Sequence, residues 1–341
     1  MDIRAEFHPG FVVYKNGFGP VWVCPHAGPA METPNSRDDN SDTVASLCWL
    51  KTGGSLIIST LPRDRIFGID FNRDIPPKED AIEAWRYFIE NKNKEKIEKF
   101  RDQYAWVAKD EKDYEHRLKI YENFWANIRK LGNIIVFVHR ELTRLGNFPS
   151  IMEVITYQGQ GVNKEIIKVI VDKINRKYDE FFENIAKHYK YTILLEEKRI
   201  VNISKIGVFT LKTIKPEYVK SIMKDLKVMK KYAKKSILEK LRDVFNETNF
   251  LLGVDSALDN TIIPRVTIES IFTGEKALQM KKPFFMRNNI VMEVESSSFI
   301  NYWYPNMASN IIIDLLTDLI SVDMYKKLGA KQTQILKFIR K

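Results

Sequence analysis

Five histidines are spread over the 341 residues, and two of them directly follow apolar runs. Val21-Trp22-Val23-Cys24-Pro25 leads into His26, and Ile134-Ile135-Val136-Phe137-Val138 leads into His139. Open α/β sheets bind their ligands at the carboxyl ends of the strands, so two histidines placed there predict a shared metal site. A catalytic zinc takes three protein ligands from His, Asp, Glu or Cys and leaves a position for water. The two histidines therefore need one acid, and the stretch after His26 offers Glu32, Asp38, Asp39 and Asp42. Asp42 is the favoured ligand, because a helix start would hold its carboxylate in a fixed orientation near the preceding strand end. A lone His26 would read as a core or turn histidine. The pair beside an acidic cluster reads as metal ligands.

A third segment, Ile69-Asp70-Phe71-Asn72-Arg73, supplies a guanidinium fork and a neutral amide, donors suited to a carboxylate. Arg63 and Arg65 lie just upstream. The segment is expected to end a strand, where side chains of alternate direction can serve one pocket. An Arg73 paired with Asp64, Asp70 or Asp74 explains the same residues equally well. Further on, Ile290-Val291-Met292-Glu293-Val294-Glu295 places two carboxylates on one face of an apolar strand. A charge there must be paired, protonated or near a metal. Glu293 fits a general base. Glu295 fits the wetted face of an edge strand.

The surrounding pattern predicts the elements that carry these residues. Apolar runs at 11–14 and 21–23 flank a turn-rich connector and predict a hairpin. Ser41 or Asp42 then caps a helix carrying Val44, Leu47, Cys48 and Leu50, and residues 56–58 begin the next strand. Residues 77–131 read as helical, 134–138 as a strand buried on both faces, and 164–189 as an amphipathic helix. Strands are expected at 191–195, 199–203, 208–211, 250–254, 265–272 and 289–295, and a helix at 307–328. The alternation predicts an α/β fold with a mostly parallel or mixed central sheet flanked by helices. Residues 1–341 are expected to form one elaborated domain, with an inserted basic helical segment at about 200–250.

Composition narrows the classes. With 44% hydrophobic residues the chain is globular, and no apolar run approaches a membrane span. Without a signal-peptide pattern at its start, a cytoplasmic location is expected. Two cysteines, Cys24 and Cys48, exclude a disulfide framework and a Cys-rich zinc site. The net charge of +10 is densest at 220–242, where Lys220, Lys224, Lys227, Lys231 and Lys235 share one helix face. That face is expected to be solvated, with nucleic acid or an acidic partner as the alternative. Tyr232 alone among these lysines is too little for a base-stacking platform. Gly159-Gln160-Gly161 before a helix could cradle phosphate, although turn glycines explain it as well.

Taken in order, Pro25-His26-Ala27-Gly28, Asp42 followed by Ala45, Asp70-Phe71-Asn72-Arg73, Val138-His139 and Met292-Glu293 resemble the N-formylglutamate amidohydrolase family, whose fold is akin to the zinc carboxypeptidases. Tyr114-Glu115-His116-Arg117-Leu118 resembles a further family feature. The likeness covers roughly residues 20–165 and, more thinly, 285–300. It implies one zinc ion on His26, an acid and His139. It implies a substrate carboxylate held by Arg73 and Asn72 with Arg65 upstream, and Glu293 and His116 in catalysis on a carboxamide. Arg140 stands where members usually carry Ser, and no Gln precedes Glu293. The expected substrate is therefore drawn broadly, as a small molecule or peptide with an amide bond next to a free carboxylate. The alternative is a non-catalytic binding protein on an old hydrolase scaffold, its basic helix recruiting nucleic acid or an acidic partner.

Overall fold

In the computed structural model, which describes residues 3–30, 37–90, 92–141, 150–186, 263–286 and 289–327, the first event in the chain is a two-residue turn. Gly10 takes φ 87°, a left-handed conformation open to glycine, and folds β2 (Phe11–Asn16) back onto β1 (Arg4–His8). The expected hairpin between 11–14 and 21–23 is not formed. Instead β2 pairs antiparallel with β4 (Gly54–Ser59), and β3 (Val21–Cys24) lies parallel on the far side of β4. Pro9-Gly10 gives β2 its hairpin partner on one edge, and β4 takes the other edge, so none is left for β3.

α1 (Ser41–Thr52) crosses from β3 to β4. β5 (Ile134–Glu141) pairs parallel with β3 and with β8 (Ile290–Ser297), and β6 (Ser150–Ile155) runs antiparallel beside β8. With β7 (Arg265–Ile268) the sheet order is β1-β2-β4-β3-β5-β8-β6-β7. The fold is thus a mixed α/β sheet flanked by helices, as the alternation of elements predicts. β8 lies inside the sheet, which corrects the edge-strand expectation for Glu295. The 150–155 run, absent from the expected elements, fills the position next to it.

Residues 77–131 form α2 (Lys78–Glu90), α3 (Lys94–Gln103) and α4 (Glu111–Leu131). Asp110 caps α4 by accepting from Asp113 N at 2.9 Å. Tyr121, Phe124, Trp125 and Ile128 of α4 pack on Val23, Ile135, Phe137 and Val291 of the sheet. On the opposite face Trp22 donates to Thr52 of α1. There α1 meets α8 (Pro305–Lys327), with Lys51 Nζ 2.7 Å from Ser309 Oγ. The remaining helices are α5 (Lys164–Lys177), α6 (Glu275–Lys281) and α7 (Ser298–Trp303). Among the described residues no helix is long and apolar enough to cross a membrane.

Two units divide the chain, one of Met1–Glu141, Met152–Ile174 and Thr267–Lys341, the other of Leu142–Ile151 and Asn175–Val266. Within the second, the Asn175 side chain holds Val266 through both its carbonyl and its N–H, and Arg265 lies over Phe182. The strands expected between 191 and 254, the inserted segment at 200–250 and the basic helix at 220–242 lie outside the described residues.

Candidate metal centre

His26 lies just beyond β3 and His139 lies two residues before the end of its parallel neighbour β5, and the sheet brings their rings to 4.8 Å between centroids. Both are buried. The chain leaves β3 through Ala27-Gly28, and a Cβ at Gly28 would stand 1.8 Å from the Leu61 carbonyl oxygen, so only glycine lets the loop after β4 pack against this exit. The acid that joins the histidines is Asp38. Its backbone N–H bonds the His26 carbonyl at 3.0 Å, which turns the carboxylate back to the strand end. Oδ2 of Asp38 lies 3.2 Å from His26 Nδ1 and 2.8 Å from His139 Nδ1. The favoured Asp42 is displaced from this role. It occupies the first turn of α1 and pairs with Arg37 at 3.3 Å, away from the histidines. Asp39 also faces Arg37 and is half exposed, and Glu32 lies outside the described residues.

The three ligand atoms lie within 4.8 Å of one another, the arrangement needed for one metal ion. The bonds on the far side of each ring decide whether they fit. His26 Nε2 lies 2.8 Å from Asp70 Oδ1, and a carboxylate accepts only from a protonated nitrogen. That bond leaves Nδ1 with its lone pair facing Asp38, as a metal ligand requires. His139 Nε2 lies 3.0 Å from the Asn72 amide nitrogen, while Asn72 Oδ1 is buried with no partner. Turning that amide over places Oδ1 against Nε2–H, satisfies the orphaned oxygen and frees His139 Nδ1 for a cation. Burial also holds the His139 imidazole below its usual value, favouring the neutral ring that ligates metals. The donor set, two imidazole nitrogens and a carboxylate, suits zinc or a related divalent ion.

Asp70 anchors this support. It is fully buried, and burial alone would raise its carboxyl; His26, Arg65 and Arg63 hold it well below the usual range. Arg65 reaches Asp70 Oδ2 at 2.9 Å, and Arg63 reaches Asp38 Oδ1 at 3.3 Å. The segment 69–73 is a turn and not the expected strand end, because Asp70 Oδ1 also takes the Asn72 N–H at 3.0 Å. Asn72 and Arg65, expected on substrate, are therefore spent on His139 and Asp70. Arg73 keeps spare donors: one nitrogen bonds the Asn72 carbonyl, and its buried Nε has no partner.

Of the two late carboxylates, Glu293 is engaged. Buried Lys281 pairs with it, and Tyr157 O–H donates to it at 2.5 Å. Burial would push the Glu293 carboxyl up, but the Lys281 ammonium and then His139 hold it down to about 2. Glu295 is in register with His139 on the neighbouring strand and so shares its face of the sheet. Its side chain is half-buried and makes no hydrogen bond with another described residue, while its backbone lies in the ladder between β5 and β6. Burial, then the charges of Glu293 and Asp38, push its carboxyl well above the usual value. His116 is exposed on α4 and does not join the centre. Its neighbour Arg117 does the positioning, with both terminal nitrogens 2.8 Å from the Ile66 and Gly68 carbonyls of the loop that carries Arg63 and Arg65. Sequence reasoning passed over Arg117, Lys281 and Tyr157. The Tyr114–Leu118 segment held a signal for the first, and nothing local marks the other two.

No family model matches the chain, and no curated protein matches it. Among solved structures it is similar to the crystal structure of gene product Atu2144 from Agrobacterium tumefaciens, at 10% identity and a TM-score of 0.47, over 92% of this chain and 95% of that one.

Proposed function

We propose that the chain is a metal-dependent hydrolase, with one zinc ion on His26, Asp38 and His139, that cleaves an amide bond next to a free carboxylate. The observation that carries this reading is the convergence of two buried imidazole nitrogens on one Asp38 oxygen, each ring braced from behind. A zinc ion held there supplies Lewis acidity, polarising a carbonyl and acidifying water.

The protein's own residues do the rest. Glu295, with its raised carboxyl and its place beside His139, takes the proton that an attacking water loses and returns it to the leaving nitrogen. Glu293, expected in that role, is tied to Lys281 and Tyr157 and fixes the charge behind His139. The unspent donors of Arg73 receive the substrate carboxylate as a planar fork. Arg63 orients Asp38, and Arg117 fixes the loop from which Arg63 reaches it.

The test is metal content by mass spectrometry on the full chain and on His26→Ala and His139→Ala, followed by a screen of N-acyl amino acids. About one equivalent of zinc in the wild type, absent from both variants, is expected. Wild-type protein that neither contains nor takes up a divalent metal at neutral pH overturns the reading. A loaded protein that hydrolyses no N-acyl amino acid or short peptide retains the metal centre and overturns the reaction.

A further inference from the structure

Among the described strands β1 is terminal in the sheet, paired with β2 in an unbroken register from Arg4 opposite Lys15 to His8 opposite Phe11. Residues Arg4 to Phe7 are all exposed, Phe7 by 79% and the preceding Ile3 by 45%. An edge strand turns unpaired N–H and C=O groups outward, and proteins usually blunt such edges with proline, a bulge or a covering element. No proline or bulge interrupts Arg4–His8. Side-chain alternation places Ile3, Ala5 and Phe7 on one side and Arg4 and Glu6 on the other.

The sequence Ile3-Arg4-Ala5-Glu6-Phe7 is complementary to its own reverse about Ala5. We propose that β1 pairs antiparallel with β1 of a second copy of this chain, centred on Ala5, joining two sheets into one. In that register Arg4 stands opposite the partner's Glu6, and Ile3 stands opposite the partner's Phe7. The two-fold axis repeats each pair. Lys15 already lies 2.5 Å from Glu6, so each acid sits between two cations. Other registers fail. Centring on Glu6 or on Arg4 sets like charges against each other, as does parallel pairing. A one-residue slip puts Arg4 against an apolar side chain. β1 is four strands from β5, about 19 Å at the usual strand spacing, so this contact is independent of the metal centre.

The pairing is short, and an interface well below about 1,200 Å² associates weakly. The test is sedimentation equilibrium of the full chain, with a dimer dissociating in roughly the tens of micromolar expected for the wild type. Arg4→Glu or Glu6→Arg turns both attractive pairs repulsive and should weaken association about tenfold or more. The double exchange Arg4→Glu with Glu6→Arg restores opposite charges across the axis, and position 4 then takes over the contact with Lys15, its register partner. It should recover association to within about threefold of the wild type. Phe7→Ser, at a site already exposed, should weaken association without unfolding the chain. A monomer throughout that range overturns the proposal, as does a dimer unmoved by the single reversals or one not restored by the double exchange.

Discussion

Glu153 and Glu295 face each other in register on β6 and β8, on the same face of the sheet, yet their surroundings are opposite in kind. Glu153 is fully buried and saturated. Its carboxylate accepts from Ser270 N, from Ser270 Oγ and Ile271 N at 2.6 Å each, and from Phe272 N at 3.1 Å. Glu295, one strand nearer His139, gains no donor, and the acids Glu293 and Asp38 crowd it. A carboxylate whose donors come from the fold itself is a structural clasp. One raised by burial and by neighbouring acids is ready to hold a proton or face a cation.

The sharpest way to break this contrast lies at Asp38, whose Oδ2 is the point on which both histidines converge. Asp38→Asn should weaken metal binding by more than about 100-fold, beyond the roughly 10–100-fold typical of outer partners and expected for Asp70→Asn. Competition with a chelator of known affinity measures both. Equal losses in the two variants would show that Asp38 is an outer partner as well.

The next pair tests the clasp against the base. Glu153→Ala leaves the Ser270, Ile271 and Phe272 N–H groups without an acceptor and should cost about 3–5 kcal/mol in urea unfolding, with metal affinity unchanged. Glu295→Gln should leave stability within about 1 kcal/mol of the wild type and retain metal, while turnover falls by about 10²–10⁴. The opposite pattern would exchange the roles of the two residues.

How much of this was legible in the sequence depended on whether the signal was local. His26 and His139 were readable because each ends an apolar run, and parallel pairing then had to bring them together. Asp38 was among the candidates, but its selection depends on a backbone bond to the His26 carbonyl that no spacing encodes. Asp70 and Asn72 looked like part of a strand because Ile69 and Phe71 are apolar; the Asp70 carboxylate, by accepting the Asn72 N–H, makes a turn instead. Lys281 lies twelve residues before Glu293 and outside β8, so their pairing belongs to the tertiary structure alone. The β1–β2 hairpin was overlooked although Pro9-Gly10 is a local turn signal. The connector at 15–20 simply carried more turn residues.

Lys281 gives an effect on stability similar in size to that of Glu153→Ala, with a distinctive pH dependence. In the metal-free wild type the Glu293 carboxyl is held at about 2, below its ordinary 4.5, so its contribution to stability is complete above pH 4.5 and is lost as pH falls toward 2. In Lys281→Met burial acts unopposed by the ammonium and raises Glu293 above its ordinary value. The ionised acid then destabilises the fold near pH 7 by about 3–5 kcal/mol, and that cost fades as protonation proceeds. The stability gap between the two proteins should therefore narrow as pH falls through the carboxylate range. Urea midpoints at pH 7, 5.5 and 4.5 measure it, and a gap that widens on acidification contradicts the assignment of Lys281 as the group that keeps Glu293 ionised.

The smallest effects belong to two residues that the structure sets apart, Asp42, favoured by its place at a helix start, and His116, implied by the family resemblance. Asp42 stands in the first turn of α1 and pairs with Arg37, whose side chain is 32% exposed. Asp42→Ala should cost about 0.3–1 kcal/mol through the helix N-terminus and leave metal affinity unchanged. His116 is exposed on α4, so His116→Ala should alter neither metal content nor turnover. Arg117→Ala, one residue on, removes both carbonyl contacts to the loop of Arg63 and Arg65 and should weaken metal binding by up to about tenfold. Loss of metal in Asp42→Ala would return the third ligand to the helix start. An effect of His116→Ala as large as that of Arg117→Ala would mean that the exposed face of α4, and not its contact with this loop, serves the centre.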